Sequence, residues 1–335
     1  MTNASDFSRR IMGKYTVCLD IGGTKVLGAI FNAKGEIVHR IKKRTRANEG
    51  VSNVEETILS VVRELVEGFG IALTDVEAIS AGAPGIINND TGVVLFSPNL
   101  PWRNYAIKKS VEKQFGIPFF IGNDVNLGVL GEWKFGVAEG LSHVVGLFVG
   151  TGLGGGLIIN GKMYSGHQYK GAEFGHMILN IDGPQCNCGQ RGCLEAFSSK
   201  TGMTDYIRQQ ILHGRSTMMA DSIREGVFKS KEMKAAYEAD DEVMIEAIDR
   251  ACLYLAVATG NLVNMFSPEM VIFGGGVMEA LGAVFLEKIL SKVNAYCLPS
   301  VRESVRFEVA SLGDDSILFG ARALILDAFE SGAIL

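Results

Sequence analysis

The sequence predicts a two-lobed α/β protein, and three observations lead to this fold class. At 335 residues the chain is longer than one typical hydrophobic core requires. Strand-type and helix-type runs alternate along the chain, as they do in α/β folds. A strand, a glycine-rich turn and a second strand occur around residues 15–31 and again around residues 143–159. This repetition predicts two lobes of similar construction.

The first lobe begins with three short strands and a helix. Apolar patterning predicts strands over residues 15–20, 26–31, 36–41, 76–81 and 117–121. The helix follows the third strand, where Ser52 can cap its start and Glu55 completes a capping box. A final helix over residues 316–329 is expected to pack back on this lobe. The predicted bounds of the first lobe are residues 14–123 plus 316–335.

The second lobe is predicted over residues 124–315. Its strands are expected over residues 143–149, 155–159 and 270–273. One face of residues 240–266 is apolar at helical spacing, which predicts a long buried helix. The cysteine-rich segment also falls within this lobe, so we expect the second lobe to carry any metal site.

Composition and charge exclude several classes of protein. The net charge is −5, and the short basic block at residues 42–44 follows a predicted strand, so the sequence does not indicate a nucleic-acid partner. Apolar runs stay short of the ~18 residues that a membrane helix needs. Residues 1–14 lack the apolar core of a signal peptide. We therefore expect a cytoplasmic protein without a membrane or nucleic-acid partner.

The segment Asp20-Ile21-Gly22-Gly23-Thr24-Lys25 is the first candidate phosphate site. Its glycines expose backbone N–H groups, its threonine adds a hydroxyl donor, and its aspartate could hold a metal ion through water. A dinucleotide fingerprint or a P-loop requires a helix after the glycines, whereas residues 26–31 read as a strand. Those two motifs are therefore excluded by context. A plain glycine hairpin is the alternative interpretation.

Two further glycine runs follow predicted strands of the second lobe. Thr151-Gly152-Leu153-Gly154-Gly155-Gly156 offers a second set of phosphate donors, in the position equivalent to the first. Gly274-Gly275-Gly276 would let the backbone lie close to a flat group such as adenine. The ordered set of three glycine runs indicates a nucleotide more strongly than any one of them alone.

Asp124 is the candidate general base. It follows a predicted apolar strand, and ligands of open α/β sheets bind at the carboxyl ends of strands. A carboxylate there could align a hydroxyl and accept its proton during phosphoryl transfer. The alternative interpretation is that Asp124 only caps the following helix.

The most specific local signal is a cluster of one histidine and three cysteines, His176, Cys186, Cys188 and Cys193. One His and three Cys can fill all four positions of a tetrahedral zinc site, so the zinc would be structural. The close C-x-C spacing disfavours a disulfide between those neighbours. Glu173 and Glu195 flank the cluster and could accept hydrogen bonds from sugar hydroxyls. Alternatively, they are surface charges around a zinc knuckle.

Together these residues resemble the ROK family (repressors, open reading frames and kinases) in its glucokinase-like branch. The most specific match is Glu-x-Gly-His at residues 173–176 with Cys-x-Cys-Gly-x-x-Gly-Cys-x-Glu at residues 186–195. The resemblance implies an actin-like, ribonuclease-H-type fold that holds ATP and magnesium in an interlobe cleft. It also implies sugar as substrate and a homodimer or higher homo-oligomer.

The resemblance also assigns roles to individual residues. It implies Asp124 as the base. Phosphate and magnesium contacts would come from Asp20, Gly23, Thr24, Thr151 and Gly152, beside Gly22, Lys25 and the glycine triplet 274–276. Sugar contacts would come from Gly85, Asn99, Asn123, Asp124, Glu173, His176 and Glu195. Zinc ligands would be His176, Cys186, Cys188 and Cys193.

Three functions follow as hypotheses. The first is an ATP-dependent hexose kinase that phosphorylates the 6-hydroxyl of glucose. The second keeps the kinase chemistry but takes an N-acetylhexosamine (N-acetylmannosamine or N-acetylglucosamine), because the loop at residues 166–170 is bulkier than in typical glucokinases. The third is a sugar-sensing transcriptional regulator, which the short segment before the first strand and the acidic charge disfavour.

Overall fold

A computed structural model describes residues 15–332 of the protein. These residues form two compact units. The first unit contains the residues up to Lys134, Gly166–Lys170 and those from Asp315 on; the second contains Phe135–Ser165 and Gly171–Asp314. The expectations about a signal peptide and a DNA-binding segment concern residues 1–14, which lie outside the described part of the chain.

The first unit is built on a five-stranded sheet with the order β3-β2-β1-β4-β8. Strands β1, β4 and β8 are parallel, while β2 and β3 continue the sheet antiparallel. A smaller antiparallel sheet, β5-β6-β7, which the sequence did not reveal, is inserted between β4 and β8 along the chain. The strands are β1 (Tyr15–Ile21), β2 (Lys25–Phe31), β3 (Ile37–Arg44), β4 (Val76–Ala83), β5 (Ile86–Asn88), β6 (Val93–Phe96), β7 (Arg103–Tyr105) and β8 (Phe119–Asn123).

Helices cover both faces of this sheet. They are α1 (Val51–Phe69), α2 (Ile107–Phe115), α3 (Asp124–Phe135) and, from the end of the chain, α11 (Ser316–Glu330). Helix α1 packs on β2 and β3 through a buried stripe that includes Val54, Ile58 and Leu65. Helix α11 packs against β1, β4 and β8, so the last helix returns to the first unit as the sequence predicted.

The predicted capping box at the start of α1 is wrong. The helix begins at Val51, and its N-cap residue is Gly50. The Glu55 carboxylate instead accepts a hydrogen bond from the hydroxyl of Tyr105. A tertiary partner has therefore replaced the local capping interaction that the spacing of Ser52 and Glu55 suggested.

The second unit contains a five-stranded sheet with the order β11-β10-β9-β12-β13. Its strands are β9 (Val144–Val149), β10 (Leu153–Ile159), β11 (Lys162–Met163), β12 (Met270–Gly274) and β13 (Arg306–Val309). Its helices are α4 (Leu194–Ser198), α5 (Lys200–Leu212), α6 (Ala220–Glu225), α7 (Ser230–Glu238), α8 (Glu242–Phe266), α9 (Gly276–Val293) and α10 (Pro299–Arg302). The predicted long helix is α8, which starts after Asp241, whose carboxylate accepts the N–H of Met244.

The two five-stranded sheets have the same topology. In each sheet a three-stranded antiparallel meander is extended by two parallel strands. Strands β1 and β9 take the same central position, and each is followed by a glycine turn and its antiparallel neighbour. The repeated strand–glycine-turn–strand pattern therefore corresponds to a repeated sheet, as predicted. Across residues 15–332, none of the helices combines the length and apolar character needed to cross a bilayer.

Candidate active site

The first hairpin (residues 22–25) joins β1 to β2 and carries the first set of predicted phosphate donors. Within it, the N–H of Gly22 donates to the carbonyl oxygen of Lys25 at 2.9 Å. Thr45, fully buried after β3, donates its hydroxyl to the carbonyl oxygen of Gly22 (2.5 Å) and its N–H to that of Thr24 (3.0 Å). Thr24 and Lys25 are exposed. The turn is thus fixed from one side, and its polar side chains face solvent.

Two aspartates lie along the edge of the sheet beside this hairpin. Asp20 on β1 pairs with Gly82 on β4, which in turn pairs with Gly122 on β8. Asp124 follows β8 directly as the first residue of α3. Because strands are spaced by about 4.8 Å, Asp20 and the start of α3 are about 10 Å apart along this edge. Gly82 between them has no side chain, and a Cβ there would lie 3.5 Å from the Asp124 Cα.

Asn123 caps the start of α3, a role that the sequence had offered to Asp124 as the alternative to a general base. Its Oδ1 accepts the N–H of Asn126 at 3.0 Å, which caps α3. Its Nδ2 donates to the carbonyl oxygen of Gly85 at 3.1 Å. The Oδ1 of Asp124 accepts the adjacent N–H of Val125 at 2.9 Å. Because Asn123 caps the helix, Asp124 is not needed for that role.

Gly85 and Asn99 adjoin the same edge. Gly85 has φ of 116°, and a Cβ there would lie 2.1 Å from the carbonyl oxygen of Phe96, so only glycine fits. Asn99 is exposed in the loop after β6, and its carbonyl oxygen is 2.9 Å from the position of a Cβ at Gly23. The first unit thus brings together its predicted site residues, namely Asp20, Gly22, Gly23, Thr24, Lys25, Gly85, Asn99, Asn123 and Asp124.

The second hairpin (residues 150–153) joins β9 to β10. Gly150 donates its N–H to the carbonyl oxygen of Gly152 at 2.9 Å, and its own carbonyl accepts the N–H of Lys200 at 3.0 Å. The carbonyl oxygen of Thr151 accepts both the N–H (3.2 Å) and the hydroxyl (2.8 Å) of Thr201. The start of α5 therefore holds the carbonyls of this turn from one side.

The glycine triplet 274–276 lies against the base of the second hairpin. Gly274 ends β12 and pairs with Phe148 of β9. Gly275 has φ of 86°, and a Cβ there would lie 2.6 Å from the carbonyl oxygen of Val149. Gly276 begins α9. The second unit thus places both of its glycine runs at the carboxyl ends of β9 and β12.

The Cys/His cluster (His176, Cys186, Cys188 and Cys193) is assembled in the second unit. One ligand atom from each residue lies within 4.8 Å of all the others. The Sγ of Cys186 is 3.9 Å from Nδ1 of His176, and the Sγ atoms of Cys188 and Cys193 are 3.7 Å apart. A Zn–S bond of about 2.3 Å implies about 3.8 Å between the corners of a tetrahedron. These donors therefore fit a tetrahedral cation.

Tight turns bring the cysteines of this cluster together. Cys186 donates its N–H to the carbonyl oxygen of Gln190 at 2.8 Å, and its own carbonyl oxygen accepts the N–H of Gly189 at 3.0 Å. Gly192 has φ of 74°, and a Cβ there would lie 1.6 Å from the carbonyl oxygen of Asn180. The glycines of the Cys-x-Cys-Gly-x-x-Gly-Cys pattern are thus required by backbone geometry, and the pattern predicts a folded loop as well as ligands.

Glu195 lies between the Cys/His cluster and the second hairpin. Its Oε2 accepts the N–H of Leu153 at 2.8 Å, and the thiol of Cys186 donates to its Oε1 at 3.5 Å. A Cβ at Gly152 would lie 2.5 Å from Oε2, so the glycine leaves room for the carboxylate. The predicted sugar contact is therefore also a support of the hairpin backbone.

Glu173 lies close enough to Glu195 and His176 for their charges to matter. Desolvation raises the pKa of the Glu173 carboxyl; His176 lowers it, and Glu195 raises it further. The residue as a whole remains exposed, so its carboxyl can reach a ligand. The second unit thus groups Glu173, His176 and Glu195, the three predicted sugar contacts that it carries.

Some functional candidates were missed from the sequence. Thr45 and Thr201 hold the two hairpins, but each is far from its hairpin along the chain, and a lone threonine gives no local signal. The loop at residues 166–170 belongs to the first unit, where its short helical turn packs against β5. There the hydroxyl of Tyr169 donates to the carboxylate of Asp90. Gln168 and Tyr169 both have left-handed backbones, with φ of 56° and 60°.

Comparison with known proteins places this chain in a family. The model of the ROK family matches residues 16–328. A glucokinase of Halalkalibacterium halodurans is 32% identical over 314 residues, which are 93% of this chain and 95% of that protein. A xylose repressor of Caldicellulosiruptor bescii is 29% identical, and the match spans 92% of this chain but 77% of the repressor.

Solved structures show the same fold. The ROK family glucokinase of Streptomyces griseus, crystallised with glucose and AMPPNP, has a TM-score of 0.80 at 30% identity and covers 93% of this chain and 98% of its own. The predicted fold class, an actin-like α/β fold, is confirmed by this likeness. With the family model spanning nearly the whole chain, the protein is a member of the ROK family.

Proposed function

We propose that the protein is an ATP-dependent hexose kinase and that its sugar is glucose. The observation that carries this proposal is the edge of the first sheet. There the first hairpin lies beside Asp20, and Asp124 stands at the end of the third parallel strand without being needed as the helix cap. Phosphate donors, a carboxylate that could bind a metal ion and a second carboxylate that could accept a proton, all on one edge, are what phosphoryl transfer to an alcohol requires.

The glucokinase relatives support the choice of substrate. The Halalkalibacterium halodurans relative is a glucokinase, and the Streptomyces griseus structure holds glucose and AMPPNP. In this chain Asp124 would accept the proton of the sugar 6-hydroxyl, and Gly85, Asn99 and Asn123 would contact the sugar. Glu173, His176 and Glu195 would contribute the remaining sugar contacts from the second unit.

The nucleotide would be bound by backbone donors of both hairpins. Gly22, Gly23, Thr24 and Lys25 would contact phosphates, as would Thr151 and Gly152, and the triplet 274–276 would leave space for adenine. Asp20 would hold Mg²⁺, which neutralises charge on the transferred phosphoryl group. Each of these assignments is a proposal for mutagenesis.

Zinc is our proposal for the cation of the Cys/His cluster. Three soft thiol donors and one imidazole at tetrahedral spacing suit zinc better than magnesium or calcium, which prefer oxygen ligands. All four positions are taken by protein ligands, so the metal would support structure and would not carry out chemistry. Burial raises the pKa of the Cys193 thiol, and a bound cation would stabilise the thiolate instead.

A coupled assay of ADP release over hexoses and N-acetylhexosamines tests the proposal. We expect ATP-dependent turnover with glucose and weak turnover with N-acetylmannosamine and N-acetylglucosamine. Preference for an N-acetylhexosamine would change the assigned substrate but not the assigned kinase activity. The absence of turnover with every sugar would contradict the kinase activity itself. The homo-oligomer and the cytoplasmic location expected from the sequence stay predictions.

A further inference from the structure

We infer that the Cys/His cluster orders the second hairpin through α4, so that the bound cation supports nucleotide binding as well as sugar binding. The cluster and the hairpin both belong to the second unit. The inference rests on the proposed function only in naming a nucleotide as the ligand of the hairpin. The mechanical coupling itself depends on contacts among described residues.

The hairpin is held by the chain that directly follows the cluster. Leu153 donates its N–H to Glu195 on α4, at 2.8 Å. Gly150 and Thr151 use their carbonyl oxygens to accept hydrogen bonds from Lys200 and Thr201 at the start of α5. These hydrogen bonds orient two carbonyl groups and one N–H group of the hairpin toward α4 and α5. They limit the conformations that the rest of the turn can present to a phosphate.

The cluster fixes the beginning of the same chain. Cys193 is the residue before α4, and its carbonyl oxygen accepts the N–H of Ala196 at 3.0 Å. A bond from the cation to Cys193 would therefore anchor the first turn of α4, two residues from Glu195. The second oxygen of Glu195 lies 3.5 Å from Sγ of Cys186, another ligand of the cluster. Glu195 thus has one oxygen toward the cluster and the other on the hairpin.

The far end of α4 is anchored in another way. Phe197 stacks on Tyr254 of α8 with 3.6 Å between ring centroids, and Arg250 lies 4.7 Å above the Phe197 ring. The hydroxyl of Ser198 donates to the carbonyl oxygen of Ala251 at 3.0 Å. These contacts do not involve the cluster. Loss of the cation should therefore loosen the Glu195 end of α4 before it loosens the Thr201 contacts.

Hydrogen exchange on the ligand-free protein tests the coupling directly. The metal-loaded protein and the protein after chelation are compared by mass spectrometry, with peptides that cover residues 150–157 and residues 20–27. We expect exchange in the second hairpin, and at Leu153 above all, to accelerate about tenfold after chelation because a local opening becomes easier. The first hairpin, held by Thr45, is the internal control and should stay unchanged.

Equal exchange rates at residues 150–157 with and without metal would overturn the inference. Equal acceleration of exchange in both hairpins would also overturn it, because that result would indicate general unfolding. Neither result depends on nucleotide binding. The experiment therefore still decides the coupling if the proposed kinase activity fails, and a missing activity alone leaves the coupling untouched.

Thr201→Val and Thr201→Ser give a matched pair that does not disturb the cluster. Valine keeps the shape of threonine but cannot donate to Thr151, whereas serine keeps the hydroxyl. We expect the Kd of AMPPNP to rise about two- to tenfold in Thr201→Val and to return toward normal in Thr201→Ser, with the Kd of glucose unchanged in both. An unchanged Kd of AMPPNP in Thr201→Val, or an equal loss of glucose affinity, would contradict the positioning role.

Discussion

The two glycine hairpins occupy the same place in two sheets of the same topology, yet they differ in chemistry. The first follows β1, whose penultimate residue is Asp20, and the buried Thr45 holds the hairpin carbonyls of Gly22 and Thr24. The second follows a strand with Phe148 at the equivalent position, two residues before its first glycine, and α4 and α5 hold it. The acid beside the first hairpin therefore comes from the strand that precedes it, whereas the acid on the second hairpin, Glu195, comes from α4.

The strands beside the hairpins repeat this difference. In the first sheet the outer parallel strand, β8, is followed directly by Asp124; in the second sheet the corresponding strand, β13, is followed by Ala310. The second unit instead contributes the triplet 274–276 and the Cys/His cluster. We therefore propose that two similar backbones have different roles: proton transfer and cation binding on the first sheet, and close backbone approach to the nucleotide in the second unit.

The largest effect that tests this division is expected from Asp124→Asn. Asparagine keeps the size of the side chain but cannot accept a proton, so kcat should fall by roughly 10²–10⁴ while ATP still binds. The measurement is steady-state ADP release together with nucleotide titration. Asp327→Asn, at a surface ion pair with Lys134 in the same unit, is the control and should leave kcat unchanged. Near-normal turnover of Asp124→Asn would exclude the base.

Loss of the cluster should damage the second unit alone. Cys193→Ser removes one of four ligands, so metal affinity should fall by more than the roughly 10- to 100-fold that loss of an outer-shell partner costs. Bound metal is measured by elemental analysis, and glucose affinity should weaken with it because His176 belongs to the cluster and Glu173 and Glu195 adjoin it. Cys297→Ser, outside the cluster, should keep the metal. Normal glucose binding by metal-free protein would contradict the support that we assign to the cation.

Replacing one glycine of each hairpin by alanine should destabilise the protein to a degree that depends on how easily the neighbouring atoms can move. A Cβ at Gly23 meets the carbonyl oxygen of Asn99 at 2.9 Å, whereas a Cβ at Gly152 meets the end of the Glu195 side chain at 2.5 Å. Backbone yields less easily than a side chain. Gly23→Ala should therefore lower the free energy of unfolding by about 1–3 kcal/mol and Gly152→Ala by less. Denaturant unfolding measures both, and the reverse order would show that the restraints are assigned wrongly.

At alkaline pH we expect an effect on stability that does not involve the candidate site. Burial raises the pKa of Cys18 in the first unit and of Cys252 in the second from 9.0 to about 12. Since the unfolded thiols ionise first, the stabilisation is complete below about pH 9 and declines above it, by about 1.4 kcal/mol per pH unit for each thiol. Cys18→Ala and Cys252→Ala should each flatten the fall in unfolding free energy above about pH 9, and an unchanged slope would contradict this account.

Local patterns were enough to predict much of the site. The spacing of His176, Cys186, Cys188 and Cys193 predicted the Cys/His cluster because a tetrahedral site needs few residues and short turns, and the structure brings these four together. The glycine turns after apolar strands predicted both hairpins. The Ser52–Glu55 capping box failed because Tyr105, fifty residues away, offered the Glu55 carboxylate a tertiary partner.

Short stretches of chain were sufficient to predict the α/β class, the doubled strand–turn–strand unit, the Cys/His cluster and the acid after β8. The folded chain was needed to show that Asn123 caps α3, that Thr45 holds one hairpin, and that Glu195 joins the Cys/His cluster to the other. The physical reason is that a single polar side chain finds its partner through packing of distant segments, and local periodicity carries no information about that packing.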